Sequence, residues 1–414
     1  VLFSADDSAQ PKGGATELFL TSLFNFAPRS DEPVHLWVSR TLDFRKDCSF
    51  LELSLEQKAE AFVLLAFISS ATTALLEQRW VMTHHELPFS QDFELFVERL
   101  LANDLRPIAF LRELFLQAPV ARLQRLNKTA TQAVDALVQW AGELNSSADL
   151  KLFAKRSFVM IRDLVQLELA RRPEHIRSHA LFNGRMNTLQ HDSADTLKWP
   201  ATRPLPLESS LYHTMYRTFD GMDHVLGISY ESDIGMRRPQ GTEERLYEGA
   251  GLGVQSSFTT IIVALEALAP PPNASFIDLG SGYGRVGLVV GLLRPDIDFT
   301  GFEFVEHRVA VSIASTVRCG LSTHVHFKTQ DLSAPDFKIP VADVYYLFDP
   351  FSRETYEHVF AQIVEIGSTR DVAVLTKGHA GTWFAEACAG KNWIVGKEFD
   401  EGTLRIFRAP SSEI

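Results

Sequence analysis

Two hydrophobic patterns divide the chain: up to about residue 171 apolar positions recur every three or four residues, and from about residue 275 short apolar runs alternate with amphipathic segments. Ser54-Leu55-Glu56-Gln57 is a capping-box sequence and predicts a helix running to about Trp80. Helical spacing also covers Ser90 to Leu101, Leu105 to Gln117, Pro119 to Leu126, Thr129 to Leu144 and Ala148 to Arg171. Pro107, Pro119 and Pro173 stand at or near the boundaries of these helices, where proline is tolerated or ends the helix. From about Ser178 to Glu244 the periodicity fades, and Pro200, Pro204, Pro206 and Pro239 appear among Asn, Asp and Gly. That stretch reads as a connector with short ordered pieces, covering or flanking the mouth of a site.

Ser256 or Ser257 is placed to cap a helix from about Phe258 to Leu268, which Pro270-Pro271-Pro272 stops. Strands are then predicted at Ser275 to Asp278, Phe299 to Phe304, Val325 to Thr329, Asp343 to Phe348, Asp371 to Thr376, Trp393 to Phe399 and Thr403 to Arg408. Apolar strands separated by helical segments form a mostly parallel sheet covered on both faces. Asp400-Glu401-Gly402 joins the last two strands at hairpin spacing. The expected fold class is α/β, a doubly wound seven-stranded sheet preceded by an all-helical N-terminal domain. Its divisions fall at 1–178, 179–244 and 245–414.

The chemistry centres on Phe276-Ile277-Asp278-Leu279-Gly280-Ser281-Gly282-Tyr283-Gly284-Arg285-Val286, an apolar strand running through a glycine-punctuated turn into a helix. Glycines at every second position open backbone dihedrals closed to other residues and let a ligand lie against the chain. Two readings of this turn compete. Gly282-Tyr283-Gly284-Arg285-Val286-Gly287 fits the dinucleotide fingerprint, with Glu303 about twenty residues on. In the other frame, Asp278-x-Gly280-x-Gly282-x-Gly284 resembles the acidic loop of the class I S-adenosylmethionine (SAM) methyltransferases. Asp278 separates the two, since a carboxylate at the strand end repels a pyrophosphate and attracts the cationic amino and sulfonium groups of SAM.

The resemblance covers about Tyr247 to Arg408, including the hairpin that ends the sheet, and it implies SAM as cofactor. Asp278, Gly280, Ser281, Gly282 and Gly284 are then the cofactor turn. Glu303 is the carboxylate that accepts from the ribose hydroxyls, with Glu306 an exposed competitor, and Asp331 is the contact to the adenine amino group. Tyr247-Glu248 and Val254-Gln255-Ser256-Ser257 are similar to the loop preceding the glycine turn in the non-SET seven-strand histone lysine methyltransferases, which adds Gln255 and Ser256 to the cofactor site. Gln255 stands where that family has an acidic residue. Asp349-Pro350-Phe351 resembles the Asp/Asn-Pro-aromatic motif of methyltransferases acting on nitrogen, although the aromatic stands one residue earlier than in the usual form. In that likeness Asp349 orients the acceptor, and Pro350, Phe351 and Tyr247 line its place. The function implied is methyl transfer to a protein nitrogen of the lysine type. A small-molecule methyltransferase, or a catalytically silent SAM-binding module on a helical scaffold, is the alternative.

Composition narrows the partners. Of 414 residues 45% are hydrophobic and 22% charged, as in a globular chain of two or three domains. The net charge of −12 disfavours broad phosphate-backbone binding, so a protein acceptor is expected rather than nucleic acid. Basic residues outnumber acidic ones between Arg99 and Arg185, where the helical half has a surface for a partner or a second copy. Ala61 to Leu76 is too short and too often interrupted by Ser and Thr to cross a membrane, and Val1 to Gly14 lacks the order of a signal peptide. Cys48, Cys319 and Cys388 have neither disulfide nor zinc spacing, which fits a reducing, cytoplasmic setting. His84-His85-Glu86 is the one His/acid cluster worth testing as a metal site, and adjacent positions on a helix do not converge on a metal.

Overall fold

A computed structural model describes residues 54–73 in part, 120–171, 217–234, 255–348, 351–399 and 404–409. The helices expected at Ser90 to Leu101 and Leu105 to Gln117, the hairpin residues Asp400 to Gly402, the His84-His85-Glu86 cluster, Tyr247, Asp349 and Pro350 lie outside the described residues.

The capping box at Ser54 forms: its backbone N–H donates to Gln57 Oε1 at 2.9 Å, and Gln57 N–H donates to Ser54 Oγ at 3.2 Å. Residues 55–63 follow as helix. Next come α1, Val120–Gly142, and α2, Ser147–Arg171. The two helices predicted between Pro119 and Leu144 are therefore one. Neither proline nor glycine interrupts Leu126 to Thr129. Asn127 turns its amide away from its own backbone, donating to Ser69 O at 2.9 Å and Thr73 Oγ1 at 2.7 Å. The connector contains α3, Met222–Leu226, and a 3-10 turn at Glu231–Asp233.

The C-terminal half opens with α4, Phe258–Leu268, and Ser257 rather than Ser256 caps it, accepting from Thr260 N–H at 3.0 Å. The remaining elements alternate: β1 Ser275–Leu279, α5 Arg285–Leu293, β2 Asp298–Glu303, α6 Glu306–Arg318, β3 Val325–Thr329 and β4 Val344–Phe348. They continue as α7 Arg353–Gly367, β5 Ala373–Lys377, α8 Ala380–Ala387, β6 Ile394–Phe399 and β7 Leu404–Arg408. The sheet order is β3-β2-β1-β4-β5-β7-β6. Strands β1 to β5 pair in parallel, and β7 enters antiparallel between β5 and β6. This is the class I methyltransferase type of sheet. The chain runs outward from β1 to β3 and then returns to place β4 on the other side of β1. That reversal opens a crevice at the carboxyl ends of β1 and β4, where open α/β sheets take their ligands.

Strand alternation supplies both faces. Val344 and Tyr346 belong to the core under α4 and α5, whereas Tyr345 and Leu347 belong to the core under α7 and α8. The first core continues into the helical half, from Phe258 and Ile262 to Phe153, Leu137 and Phe62. Its junction includes Phe158 on α2 against Phe258 on α4, with ring centroids 5.3 Å apart. The described helices and one face of the sheet thus share a core.

Gly287 on α5 faces the sheet with no room for a side chain. A Cβ there would stand 2.5 Å from Phe299 Cε1 and 2.7 Å from Phe327 Cζ. Gly287→Ala gains about 1 kcal/mol of helix propensity, but overpacking the two buried rings costs about 1–3 kcal/mol. The variant is expected to be the less stable protein, read as a lower urea midpoint; an equal or higher midpoint would show that the helix lifts freely.

Candidate functional site

Strand β1 delivers Asp278 to the carboxyl edge, in register with Gly301 on β2 and Tyr346 on β4, and only 2% exposed. The chain then folds over the end of β2, where the N–H groups of Gly280 and Ser281 both donate to Phe302 O at 2.8 and 2.9 Å. All three glycines of the turn have left-handed backbone, Gly280 at φ +86°, and at two of them a side chain would also collide. Gly282 has φ +53° and would bring a Cβ to 3.0 Å from Gln255 Oε1; Gly284 has φ +81° and would bring one to 2.7 Å from Phe327 Cζ and 2.9 Å from Ser312. Gly284 also caps α5.

Glu303 ends β2 directly beside this turn. Its Oε2 accepts from Gly282 N–H at 2.9 Å and its Oε1 from Val305 N–H at 3.0 Å. Burial pushes the Glu303 carboxyl above its ordinary pKa, while Arg308 and the two N–H groups pull it down. Asp278 is pushed well above its ordinary value by burial and then by the charge of Glu303. No salt bridge reaches Asp278 among the described residues. Ser281 Oγ is buried without a hydrogen-bond partner. Two buried carboxylates and an orphaned hydroxyl therefore surround a turn too close-packed for side chains. Such a site accepts hydrogen-bond donors and positive charge.

The other expected residues are placed as follows. Gln255 lies against Gly282, and Ser256 Oγ shares a 2.7 Å hydrogen bond with Tyr346 Oη. Asp331 Oδ1 accepts from Ser333 N–H at 2.9 Å and Ser333 Oγ at 2.6 Å, closing a local turn after β3. Glu306 opens α6 and is exposed. Phe351 is 4% exposed and packs on Tyr356 with centroids 5.1 Å apart, in the core under α7. No group of His, Cys, Asp and Glu among the described residues could hold a metal ion. Among the described residues no helix is long and apolar enough to cross a membrane. Cys319 and Cys388 are free and buried.

Several residues at this edge escaped the sequence reading. Arg285, the first residue of α5, is buried and donates through Nε to Asp223 Oδ1 at 2.8 Å and through Nη1 to Ser256 O at 3.1 Å; it also pairs through Nη2 with Asp223 and Asp220. Tyr230 Oη donates to Asp223 Oδ2 at 2.7 Å. Asp233 receives Arg308 and His307 from α6. Connector segment 217–234 is thus tied from behind to both helices that flank the turn. At the end of β5, buried Lys377 donates to Thr260 Oγ1 at 3.3 Å and lies 5.1 Å from the Phe348 ring. One signal was available in the sequence: an arginine inside an otherwise apolar stretch must find carboxylates when the stretch is buried.

No known family profile matches the sequence, and no curated protein matches it. Among solved structures, TrmN from Thermus thermophilus is similar at 18% identity, with 36% of this chain and 47% of that chain covered and a TM-score of 0.30. An RNA methyltransferase from Salinibacter ruber, in complex with S-adenosyl-L-homocysteine, is 18% identical over 39% of this chain and 96% of that one, with a TM-score of 0.30. A precorrin-6y C5,15-methyltransferase from Geobacter metallireducens is 13% identical over 39% and 92%, with a TM-score of 0.31. The chain spans less than half of TrmN, and at these values the likenesses carry no statement about its chemistry.

Removing one partner of a buried ion pair strands the other charge, at a cost of about 3–5 kcal/mol. Asp223→Ala leaves Arg285 with Asp220 and is expected to fall near the lower end, about 3 kcal/mol. Tyr230→Phe removes one hydrogen bond to the same carboxylate and should cost only about 1–2 kcal/mol. Urea unfolding of both variants checks the order; equal losses would mean that Asp223 acts as packing alone.

Proposed function

We propose that this chain is a SAM-dependent methyltransferase transferring a methyl group to a nitrogen of a protein side chain, of the lysine type. The observation that carries the cofactor reading is the pair of buried carboxylates, Asp278 and Glu303, on either side of the glycine turn. The residues present fit that group. Glu303 keeps lone pairs for a ribose diol while backbone N–H groups hold both its oxygens. Asp278 offers negative charge to a cationic ligand, and Ser281 Oγ lacks a partner that a ligand's polar atom would supply. When bound, the cofactor supplies an activated methyl on a sulfonium, which a nucleophile displaces in line to leave S-adenosylhomocysteine.

What the chain contributes is alignment and exclusion of water. Gln255 and the turn around Gly282 approach closely enough to confine a ligand lying on the glycines. The Ser256–Tyr346 hydrogen bond ties the loop before α4 to the middle of the sheet. Support for a nitrogen acceptor comes from the residue order directly after β4, Asp349-Pro350-Phe351. In this reading Asp349 accepts from the acceptor's N–H and orients its lone pair toward the methyl group, and Pro350, Phe351 and Tyr247 shape its place. The amine attacks in its neutral form, so no strong base is needed at the end of β4. Asp331 serves the adenine amino group.

Asp278→Asn keeps the shape of the turn and removes the charge. SAM affinity measured by calorimetry is expected to fall on the order of 10- to 100-fold, the worth of one or two hydrogen bonds to a charged group. Unchanged affinity, or tighter binding of NADH than of SAM by the wild type, would refute the cofactor reading. Incubation with methyl-labelled SAM and host lysate tests the acceptor. Label in protein that survives acid hydrolysis as methyl-lysine is the expected result, and label confined to small molecules or RNA would overturn the nitrogen assignment.

A further inference from the structure

Glu303 does not stand alone at the end of β2. The Arg308 guanidinium, in the first turn of α6, presents its Nη1 at 3.9 Å from Glu303 Oε1. Its other side is clamped by Asp233: Nε donates to Oδ1 at 3.1 Å and Nη2 to Oδ2 at 3.0 Å. This two-pronged match leaves a planar fork little freedom to rotate. Arg308 is 6% exposed and Asp233 2%, so the pair is held in a poorly screened setting. The Tyr283 ring, 5.8 Å from the guanidinium carbon, closes one side. His307 Nε2 lies 2.8 Å from Asp233 Oδ1, from the half-buried side. Asp233 belongs to the connector, some seventy residues before Glu303 in the chain.

We propose that Arg308 is a positioning residue for Glu303, and that Asp233 is the anchor that aims it: the fixed guanidinium keeps the Glu303 carboxylate acceptor-only and faced toward the ribose diol, so a connector residue that does not touch the cofactor sets its affinity. This rests on the SAM reading of the same site. Burial opposes the ionisation of Glu303 most, and the like charge of Asp233 from the connector opposes it as well, while Asp278 from β1 is itself raised by the charge of Glu303. Against these stand the N–H groups of Gly282 and Val305 and one cation, Arg308. Tyr283 is neutral, its hydroxyl pushed far up by burial and by Asp233. An opposite charge within about 4–6 Å shifts a carboxylate by about 1–3 pH units. At 3.9 Å Arg308 is therefore large enough to decide the form in which Glu303 meets a ligand.

The sign follows from the acid's own equilibrium. Glu303 sits above its ordinary value in the folded protein, so SAM binding weakens as pH falls through that raised midpoint. Loss of Arg308 raises it further. The test is the pH dependence of SAM and S-adenosylhomocysteine dissociation constants, by calorimetry between about pH 5 and 9, on the full chain, with thermal unfolding recorded beside it. Arg308→Met is expected to move the midpoint up by about one pH unit, and Arg308→Lys to restore most of it. In a Glu303→Gln background that midpoint is gone, and Arg308→Met should produce no further change in the pH dependence of binding. Asp233→Asn is the sharper variant. As bare electrostatics it removes a repelling charge and would lower the midpoint, whereas loss of the anchor raises it. A purely structural role predicts lower thermal stability with an unmoved midpoint, which overturns the proposal, as does a lowered midpoint for Asp233→Asn. Should Arg308→Met fail to fold, Arg308→Lys and Asp233→Asn decide the matter. A wild type that binds neither compound at any pH sinks the cofactor reading itself, whereas binding with unmoved midpoints sinks only the positioning role.

Discussion

Two carboxylates buried within one sheet edge are the constraint around which this half of the molecule is arranged. Desolvating a carboxylate costs several kcal/mol even after relaxation, and placing a second beside it adds repulsion. The fold answers locally for Glu303, with the N–H groups of Gly282 and Val305 and the guanidinium of Arg308. For Asp278 no such cation is present among the described residues, and burial raises it well above the ordinary aspartate range. A structure that keeps this arrangement holds back part of its own stability at the point where a ligand must compensate it. The turn's glycines serve the same end, because at Gly282 and Gly284 any side chain would fill the space or collide with Gln255, Phe327 or Ser312.

The same accounting explains the connector. Arg285 and Arg308 lie on helices α5 and α6, which follow the turn and Glu303 respectively, and both are buried. Each must be matched by a carboxylate, and neither finds enough within its own βα unit. Segment 217–234 brings Asp220 and Asp223 to the first and Asp233 to the second, with Tyr230 packed edge-on against Tyr283 at 4.7 Å. An apparently structureless stretch is thereby part of the support of the site, since breaking any of these pairs strands a charge in the interior.

How much of this was legible before the structure depended on whether the signal was local. The strands fall within two residues of their predicted ends, because an apolar run bounded by turn residues is a local property. The Asp278 turn, Glu303 at the end of β2 and the antiparallel hairpin at the end of the sheet were readable for the same reason. At Leu126 to Thr129 a polar interruption looked like a helix boundary, whereas Asn127 had found its acceptors on Ser69 and Thr73 and the helix ran on. Asp331 was assigned by its position after β3, where a loop aspartate also commonly caps a turn, and it does close one with Ser333. Asp223, Asp233 and Lys377 were not legible at all. Their partners lie between about sixty and a hundred and twenty residues away in the chain, and no local pattern announces such a pairing.

The choice between a dinucleotide and a sulfonium nucleoside can be argued on magnitude. Two unit charges about 5 Å apart at an effective dielectric of about 20 interact by roughly 3 kcal/mol. A pyrophosphate laid on this turn would meet Asp278 and Glu303 together, and the backbone N–H groups that usually welcome it are partly spent. Those of Gly280 and Ser281 donate to Phe302 O, and that of Gly282 to Glu303. Arg308, the cation beside Glu303, is clamped by Asp233. A ligand with a positive amino group and a free ribose diol reverses both terms, meeting negative charge with positive and acceptor-only oxygens with donors. The electrostatics of the edge therefore favour a cationic ligand over a phosphate before any shape is considered, which is the argument for the frame beginning at Asp278 over the one beginning at Gly282.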